Sequence, residues 1–540
     1  MAEEYGGPPR QDTICAALDR AVAAAPDRVF ADFCGETYTY AEVDRLADAL
    51  TRGLVAVGVK PGDTVATVLD NNVDAIVVWF AINRAGAISA PVNTAFRGQF
   101  LSAQIDDCQC AVVIAEAEYA GRIAAVIDDL PQVRCLFVRG GPPPELPARV
   151  HGGGLDELRR PEADPVDVAV TPEQIAMLVY TSGTTGRSKG CMISHNCACS
   201  LGWNGVEVHA IDSTDVIWTP LPLFHLNAIG ACVLAALMAM GRIAIFPRFS
   251  VSQFWPDVER SGATTVALLG SMASLIAEAP ETDAQRRCHG QLRRISAAPF
   301  PEAVAAKWRE RFGAPAYGAA GYGMTEAPTL VGLPTGERTA PPGSSGRAGA
   351  NFEVRIFDDN DQEVPPGTAG EVVCRPRYPN VLFSGYWNQP EATVKAWRNL
   401  WFHTGDLGKI DKDGWFYFVD RKKDYIRRRG ENISTHEMES VFRQHPAIQD
   451  VAVHAVLSPH GEDEVKVTAE ILPGTALSEA ELCRWSIERV PYFAVPLYIE
   501  FRATLPRGAT GKVLKDQLRA EGKTAATWDR EAAGLTFTRR

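Results

Sequence analysis

Cysteine is sparse. Twelve in 540 residues fall far below the density of small secreted scaffolds, which excludes a disulfide framework. Long apolar runs are missing too. The longest, Ala228–Met240 (AIGACVLAALMAM), falls short of the about 20 residues that a bilayer span needs and reads as a buried helix. The opening MAEEYGGPPR carries two glutamates and no apolar centre, so it lacks signal-peptide character. Positive charge is not in excess: 54 Lys and Arg stand against 66 Asp and Glu, a formal charge of −12. That excludes a globally basic surface for duplex nucleic acid, although a local basic cleft is still compatible with it. No fixed-period repeat occurs. The expectation is a cytoplasmic protein with reduced thiols, no membrane span and no nucleic-acid partner, and with 46% apolar residues it has material for large cores.

What is present is an alternation of short β-rich runs with amphipathic stretches. Thr39-Tyr40-Ala41-Glu42 reads as a capping box, followed by Val43, Leu46, Leu50 and Leu54 at helical spacing. Strands are predicted at Val65–Leu69, Ala111–Ala115, Ile175–Tyr180, Val216–Thr219, Arg242–Phe246, Thr264–Leu269 and Arg294–Ala297, with helices at Ser271–Glu278 and Pro301–Phe312. Such alternation argues for α/β layers with mostly parallel sheets. Gly140–Pro147 (GGPPPELP) reads as a loop. Glu353–Phe357 and Glu371–Cys374 flank a turn-rich segment and read as antiparallel β. After about residue 420 a hairpin leads into a second capping box, Ser434-Thr435-His436-Glu437, and then helix, strand, strand, helix and strand. A small α+β C-terminal domain is expected there, with the last dozen residues loose.

Tyr180–Gly190 (YTSGTTGRSKG) carries the most chemistry. Glycines let backbone amides turn towards an anion, small hydroxyls add donors, and a lysine adds charge: the requirements of a polyphosphate cradle. The Walker arrangement is excluded, because Gly186 and Lys189 are separated by Arg187 and Ser188. Further blocks follow in order: Pro222–Asn227 (PLFHLN), Ser296–Pro299 (SAAP), Gly321–Glu326 (GYGMTE), Trp401–Gly408 (WFHTGDLG), Gly414–Ser434 and Pro506–Lys512 (PRGATGK). Together these blocks resemble the adenylate-forming superfamily of acyl-CoA synthetases, luciferases and peptide-synthetase adenylation domains, from about residue 12 to about 520.

The resemblance implies a large N-terminal AMP-binding domain (1–420) of layered α/β sheets plus a β-rich subdomain, a hinge (421–425), and a small mobile α+β domain (426–540) carrying a catalytic lysine. It further implies ATP, Mg²⁺ and coenzyme A. Thr181, Ser182, Gly183, Thr184, Thr185, Gly186 and Lys189 would hold the β- and γ-phosphates of ATP. Thr181 and Glu326 would approach the metal, in keeping with the oxygen preference of a hard cation. Thr325 would reach the α-phosphate. Ser296, Ala297 and Ala298, with Ala320, Gly321, Tyr322 and Gly323, would form the adenine slot, Tyr322 stacking on the ring. Asp406, assisted by Arg421, would accept from the ribose hydroxyls. Lys512 would reach the acyl carboxylate and the α-phosphate, where a cation stabilises developing charge. His225 would shape the site beside the acyl carboxylate, which is already ionised near neutral pH and needs no base.

The stretch Arg421–Arg429 (RKKDYIRRR) is strongly basic. By resemblance Lys423 is the pivot of domain rotation. Arg427–Arg429, Gly430 and Glu431 belong to a loop that faces the active site in the second state, where a basic loop suits the phosphates of CoA. Ser296 stands where the family often has Gly, a change expected to narrow or redirect the acyl tunnel. Cys191, His195, Cys197 and Cys199 lie close enough to invite a zinc reading, but the run sits where the family has an ordinary helix start, and that reading is rejected.

The implied reaction is AMP-forming ligation of a small-molecule carboxylic acid to CoA through an acyl-adenylate, with a homodimer as the family's assembly. The stretches GWFYFVDRKKDYIRRRGENIS and HPAIQDVAV look most like the carnitine/crotonobetaine-CoA ligase group. A carnitine pocket should offer an aromatic or acidic partner to the quaternary ammonium, with Trp203, Phe224 and Tyr317 as candidate walls. A medium-chain, branched or ring-bearing acid is the other substrate reading. Three other functions share parts of the pattern. A stand-alone adenylation enzyme would deliver the acyl group to a carrier protein, and a luciferase-like monooxygenase shares every motif. A non-catalytic nucleotide-binding regulator would have lost Lys189, Glu326, Asp406 or Lys512, and all four are present.

Overall fold

Strands made of near-continuous apolar runs need cover on both faces, and that requirement organises the N-terminal domain. Thr64–Val68 and Val112–Glu116 are buried at every position. They sit in a seven-stranded sheet ordered His151–Gly154, Cys135–Arg139, Val112–Glu116, Thr64–Val68, Ile88–Pro91, Ile175–Thr181, Lys189–Ser194, parallel except for the last pair. A second sheet runs Arg294–Ala298, Thr265–Leu269, Val216–Thr219, Arg242–Ile245, Val29–Phe33, Glu36–Thr39, parallel up to its final hairpin. The helix Val73–Arg84 is apolar around most of its circumference and is buried accordingly. This computed structural model describes residues 10–537 except 182–187, 299, 301, 316–320, 335–336, 338, 422–424, 459–461 and 508–512.

The expected antiparallel region is a five-stranded sheet in which Phe352–Phe357, Gly370–Pro376 and Trp401–Ile410 are neighbours and Phe416–Arg421 pairs with Trp401–Ile410. The smaller C-terminal domain opens with the hairpin Tyr425–Arg428 and Glu431–Ser434. Its sheet is Ile448–Leu457, Asp463–Ile471, Tyr498–Arg502 and Trp528–Asp529, with Thr435–Phe442 and Glu479–Ile487 as helices. Of the expected hinge, 422–424, with Lys423, lies outside the described residues. Among the described residues no helix is long and apolar enough to cross a membrane.

Two local expectations turn out differently, and a third is met with an added feature. The apolar run is a buried helix, but Asn227–Leu234 winds in wide π turns before tightening at Ala235–Met238. It lies so close to helix His195–Glu207 that a Cβ on Gly230 would stand 2.6 Å from Leu201 Cδ1. The first capping box is complete: Glu42 N donates to Thr39 Oγ1 and Thr39 N to Glu42 Oε2. The second is only half formed. Ser434 Oγ accepts from Glu437 N, but the Glu437 carboxylate reaches across to the N-terminal domain instead. Finally, at the start of the stretch expected to be loose, residues 528–530 are docked. Trp528–Asp529 pairs with Tyr498–Ile499, and the buried Arg530 guanidinium donates to the carbonyls of Val495 and Pro496.

Candidate active site

A cleft of about 3700 Å³ opens where both parallel sheets, the antiparallel sheet and the C-terminal hairpin meet. On one side, Thr181 and Lys189 are directly opposite partners in an antiparallel pair. Lys189 Nζ lies 4.7 Å from the centre of the Tyr386 ring. The Tyr386 hydroxyl donates to Glu326 Oε1 at 2.9 Å, and Glu326 is buried. Burial and the neighbouring Glu326 charge push the Tyr386 phenol well above its ordinary range. The same two causes raise the thiol of Cys191, which bridges to Tyr386 through the backbone.

Tyr322 occupies a turn that needs glycine on both flanks. Gly321 has φ 140°, and a Cβ on Gly323 would stand 2.4 Å from the Pro328 carbonyl oxygen. The Tyr322 hydroxyl donates to Asp406 Oδ2 at 2.8 Å, while its ring stacks on Phe416 with centroids 5.0 Å apart. One ring face is therefore covered, and the Phe418 ring lies tilted to Tyr322 with centroids 5.9 Å apart. Burial, then the Asp406 charge, holds this phenol well above its usual range. Asp406 sits in the strand Trp401–Ile410 opposite Arg421, and its N–H donates to Thr404 Oγ1, which itself donates to the Val372 carbonyl.

The other side of the cleft is a junction between domains. Glu431 Oε1 lies 3.3 Å from His225 Nε2, and Glu431 Oε2 accepts from Asn93 Nδ2 at 3.1 Å. Gly430 has φ 83°, and a Cβ there would stand 2.5 Å from Leu269 Cδ1. Phe96 and Phe100 pack against the C-terminal core, and Gln444 Nε2 donates to Gln99 Oε1. Glu437 Oε1 accepts from both the N–H and the hydroxyl of Ser188, at 2.7 and 2.8 Å.

Thr181, Lys189, His225, Ser296, Gly321, Tyr322, Gly323, Thr325, Glu326, Asp406, Gly430 and Glu431 thus line one cleft, although they span 250 positions of sequence. Ala297 is buried in the neighbouring core. Ser182, Gly183, Thr184, Thr185, Gly186, Tyr317, Ala320 and Lys512 lie outside the described residues, as do the side chains of Ala298 and Arg421. Within the basic stretch, Arg427 and Arg429 line the cleft. Arg428 does not face it: it is buried, donates to the carbonyls of Phe493 and Val495, and pairs with Glu464. Burial lowers its pKa to about 10. In strand Tyr425–Arg428 the side chains alternate, so adjacent arginines take opposite faces. Sequence reasoning missed Tyr386, Asn93 and the Ser188–Glu437 pair. Tyr386 and Asn93 belong to no motif read from the sequence, and Ser188, though inside the Tyr180–Gly190 run, carried no sign of a partner in the C-terminal domain. Only the acid at the third helical position of Thr435–Phe442 was visible, and it was read as local.

A profile of AMP-binding enzymes matches residues 18–387, and one of the AMP-binding enzyme C-terminal domain matches residues 437–512. Crotonobetaine/carnitine–CoA ligase of Salmonella arizonae is 30% identical over 512 residues, covering 91% of this chain and 95% of that protein. Feruloyl-CoA synthase of an Amycolatopsis species is 33% identical over 492 residues, covering 90% and 94%. The crystal structure of ATP-bound MatB from Rhodopseudomonas palustris superposes with a TM-score of 0.65 at 27% identity, covering 93% of this chain and 98% of that one.

Proposed function

Because this chain belongs to the family of AMP-binding, adenylate-forming enzymes, we propose that it is an AMP-forming acid–CoA ligase whose second half-reaction is assembled at the His225–Glu431 junction. In the first half-reaction a carboxylate oxygen attacks the α-phosphorus of ATP. The bond to the β-phosphate oxygen breaks and pyrophosphate leaves. In the second, the CoA thiolate attacks the acyl carbonyl, AMP departs with the electron pair of the acyl–oxygen bond, and a thioester remains. Both steps are displacements in which the protein contributes position and charge.

Lys189 and the loop before it would hold the β- and γ-phosphates, Thr325 would meet the α-phosphate, and Lys512 would stabilise charge as carboxylate and phosphate approach. The ribose would compete with Tyr322 for Asp406, and adenine would use the Tyr322 face opposite Phe416. For the metal, the Glu326 carboxylate and Thr181 hydroxyl are hard oxygen donors and fit Mg²⁺, which prefers one or two protein oxygens completed by water and substrate phosphate. The raised thiol of Cys191 beside them is kept protonated and offers no competing soft ligand. When bound, Mg²⁺ offsets phosphate charge.

The observation that carries this reading is the C-terminal hairpin turn seated in the cleft, with Gly430 against Leu269 and Glu431 between His225 and Asn93. Arg507 and Val513, the described residues that flank the Lys512 loop and bridge to one another, do not line the cleft. This is the arrangement expected for thioester formation, and rotation about Lys423 would exchange the two loops.

The acid is better read as ring-bearing or otherwise uncharged at its tail than as a quaternary ammonium. A cation of that kind is recognised by open aromatic faces. Here Trp203 already carries the Arg10 guanidinium 4.1 Å from its ring centre, and its Nε1 is held by Asp12 Oδ2. Phe224 packs edge-on against His225. The test is AMP formation from ATP across carnitine, crotonobetaine, fatty, aryl and steroid side-chain acids, with and without CoA. CoA-dependent turnover on an uncharged or aryl acid is expected. Turnover indifferent to CoA would transfer the reading to a carrier-protein or luciferase-like acceptor, and preference for carnitine would overturn the substrate assignment.

A further inference from the structure

Among the described residues three Ser/Thr-x-x-Glu sequences begin helices, and they do not behave alike. At Thr39–Glu42 and Ser478–Glu481 the glutamate turns back onto its own cap and both halves of the capping box form. At Ser434–Glu437 only the first half forms. The Glu437 carboxylate instead leaves its domain and takes two hydrogen bonds from Ser188, one from the N–H at 2.7 Å and one from the hydroxyl at 2.8 Å, both on Oε1. Ser434 is also the last residue of the strand Glu431–Ser434, opposite Tyr425, so its backbone already has a place in the hairpin. The chemistry of the partner matters most. Ser188 closes the glycine- and hydroxyl-rich run 182–187 and immediately precedes Lys189. An N–H and a hydroxyl converging on one anionic oxygen are the donors that such a loop offers to phosphate.

We propose that Glu437 is a positioning residue that takes a phosphate's place: its carboxylate occupies donors at the end of the phosphate loop once pyrophosphate has left, and so holds the C-terminal domain in the thioester-forming arrangement. This rests on the two-step reading of the reaction given above. A carboxylate and a pyrophosphate cannot share these donors, because like charges at hydrogen-bonding distance repel and only one anion can accept from each donor. Domain closure in this arrangement is thereby linked to pyrophosphate departure. Linkage is reciprocal, so whatever favours the contact must weaken pyrophosphate binding, and pyrophosphate must weaken whatever binds to the closed arrangement.

The test uses the full chain and isothermal titration, with magnesium pyrophosphate and CoA as probes and AMP present throughout. No acid is needed, and no reaction can run. Glu437→Gln keeps the backbone N–H that caps onto Ser434, and Glu437→Asp keeps the charge but shortens the reach. Both variants should bind pyrophosphate about five- to ten-fold more tightly than the parent, on the scale of a typical coupling between sites. Saturating pyrophosphate should weaken CoA binding to the parent by a similar factor and to the variants by less than about two-fold. Circular dichroism and AMP affinity near the parent's value establish that the variants are folded, since AMP lacks the phosphates that would meet Ser188. Pyrophosphate affinity unchanged in both variants would overturn the proposal. So would a Glu437→Asp protein that behaves as the parent, since charge alone and not the contact would then be at work. A parent that binds no CoA would overturn the acceptor assigned under Proposed function, while the pyrophosphate comparison would still decide the role of Glu437.

Discussion

The two sides of the cleft are built on different principles. On the nucleotide side, Tyr322–Asp406 and Tyr386–Glu326 join buried groups within the N-terminal domain, and each phenol lies against a carboxylate in surroundings that keep it protonated. On the facing side, His225–Glu431, Asn93–Glu431 and Ser188–Glu437 cross between domains, and each has one partner on a separately folded unit. Under the mechanism proposed above, the first kind of contact stays within one domain through both half-reactions, and the second kind would be made and broken by domain rotation. The contrast is between recognition groups held inside one domain and polar contacts placed where the proposed motion would exchange them.

The largest break in that contrast is expected from the lysine proposed to act in adenylation alone. Lys512→Ala should slow adenylation by about 100-fold or more, as when a transition-state donor is removed, and leave thioester formation from a supplied acyl-adenylate intact. Equal loss in both half-reactions, measured separately by quenched flow, would mean that one arrangement serves both. Next in size is the fixed side. Asp406→Ala removes a charged acceptor worth about 1.5–3 kcal/mol, so ATP affinity should fall about 10- to 100-fold, whereas Tyr322→Phe, which keeps the ring, should lose less than about ten-fold. The same ratio must appear in both half-reactions, because these contacts are not exchanged. If Asp406→Ala spares AMP-dependent thioester formation, the fixed side is not fixed.

The exchangeable side is broken by one methyl group. Gly430→Ala puts an L-residue at φ 83° and a Cβ 2.5 Å from Leu269 Cδ1. A left-handed conformation costs an L-residue about 1–2 kcal/mol, so the thioester step should slow about ten-fold while adenylation is unchanged. Adding Leu269→Ala separates the causes. Recovery of the CoA step assigns the loss to the contact, and no recovery assigns it to the backbone.

How much of this was legible in the sequence divides along the same line. Strands such as Val216–Thr219 and the helix Glu302–Phe312 followed from apolar periodicity, which reports burial directly. The cleft-lining Thr181 and Lys189 stood out within a glycine- and hydroxyl-rich run, whereas Tyr322, Glu326 and Asp406 were singled out by resemblance to the adenylate-forming superfamily. Glu437 was misread because Ser-x-x-Glu is a local signal, and nothing local says that Ser188, 249 residues earlier, lies within reach. Arg428 was misread for a related reason. A run of arginines looks uniformly basic, but a strand sends alternate side chains to opposite faces, and Arg428 is buried against Glu464. The docked tail escaped notice because Trp528–Asp529 is too short to show a period.

The smallest effect on activity concerns contacts inside the C-terminal domain, away from the cleft. Glu500 and Lys466 form a buried pair at 2.6 Å, and the hydroxyls of Thr524 and Thr527 also donate to Glu500. Burial pushes the Glu500 carboxyl up, but donors from Lys466, Thr527, Thr524 and Arg502 outweigh it and hold the group at about 2, against an ordinary 4.5. The unfolded chain therefore binds the extra proton between those values. The pair's contribution is complete above pH 4.5 and is lost as pH falls towards 2. Between about pH 5 and about pH 3 the melting temperature of the C-terminal domain should drop in the parent, and Glu500→Gln should flatten that slope while lowering stability at neutral pH, since Lys466 is left buried without its counter-charge. The ratio of the two half-reaction rates at neutral pH should not change, because this network lies inside the domain and is not remade at the cleft. A Glu500→Gln protein that loses the CoA step selectively would show that the interior of the moving domain and its contact surface are coupled.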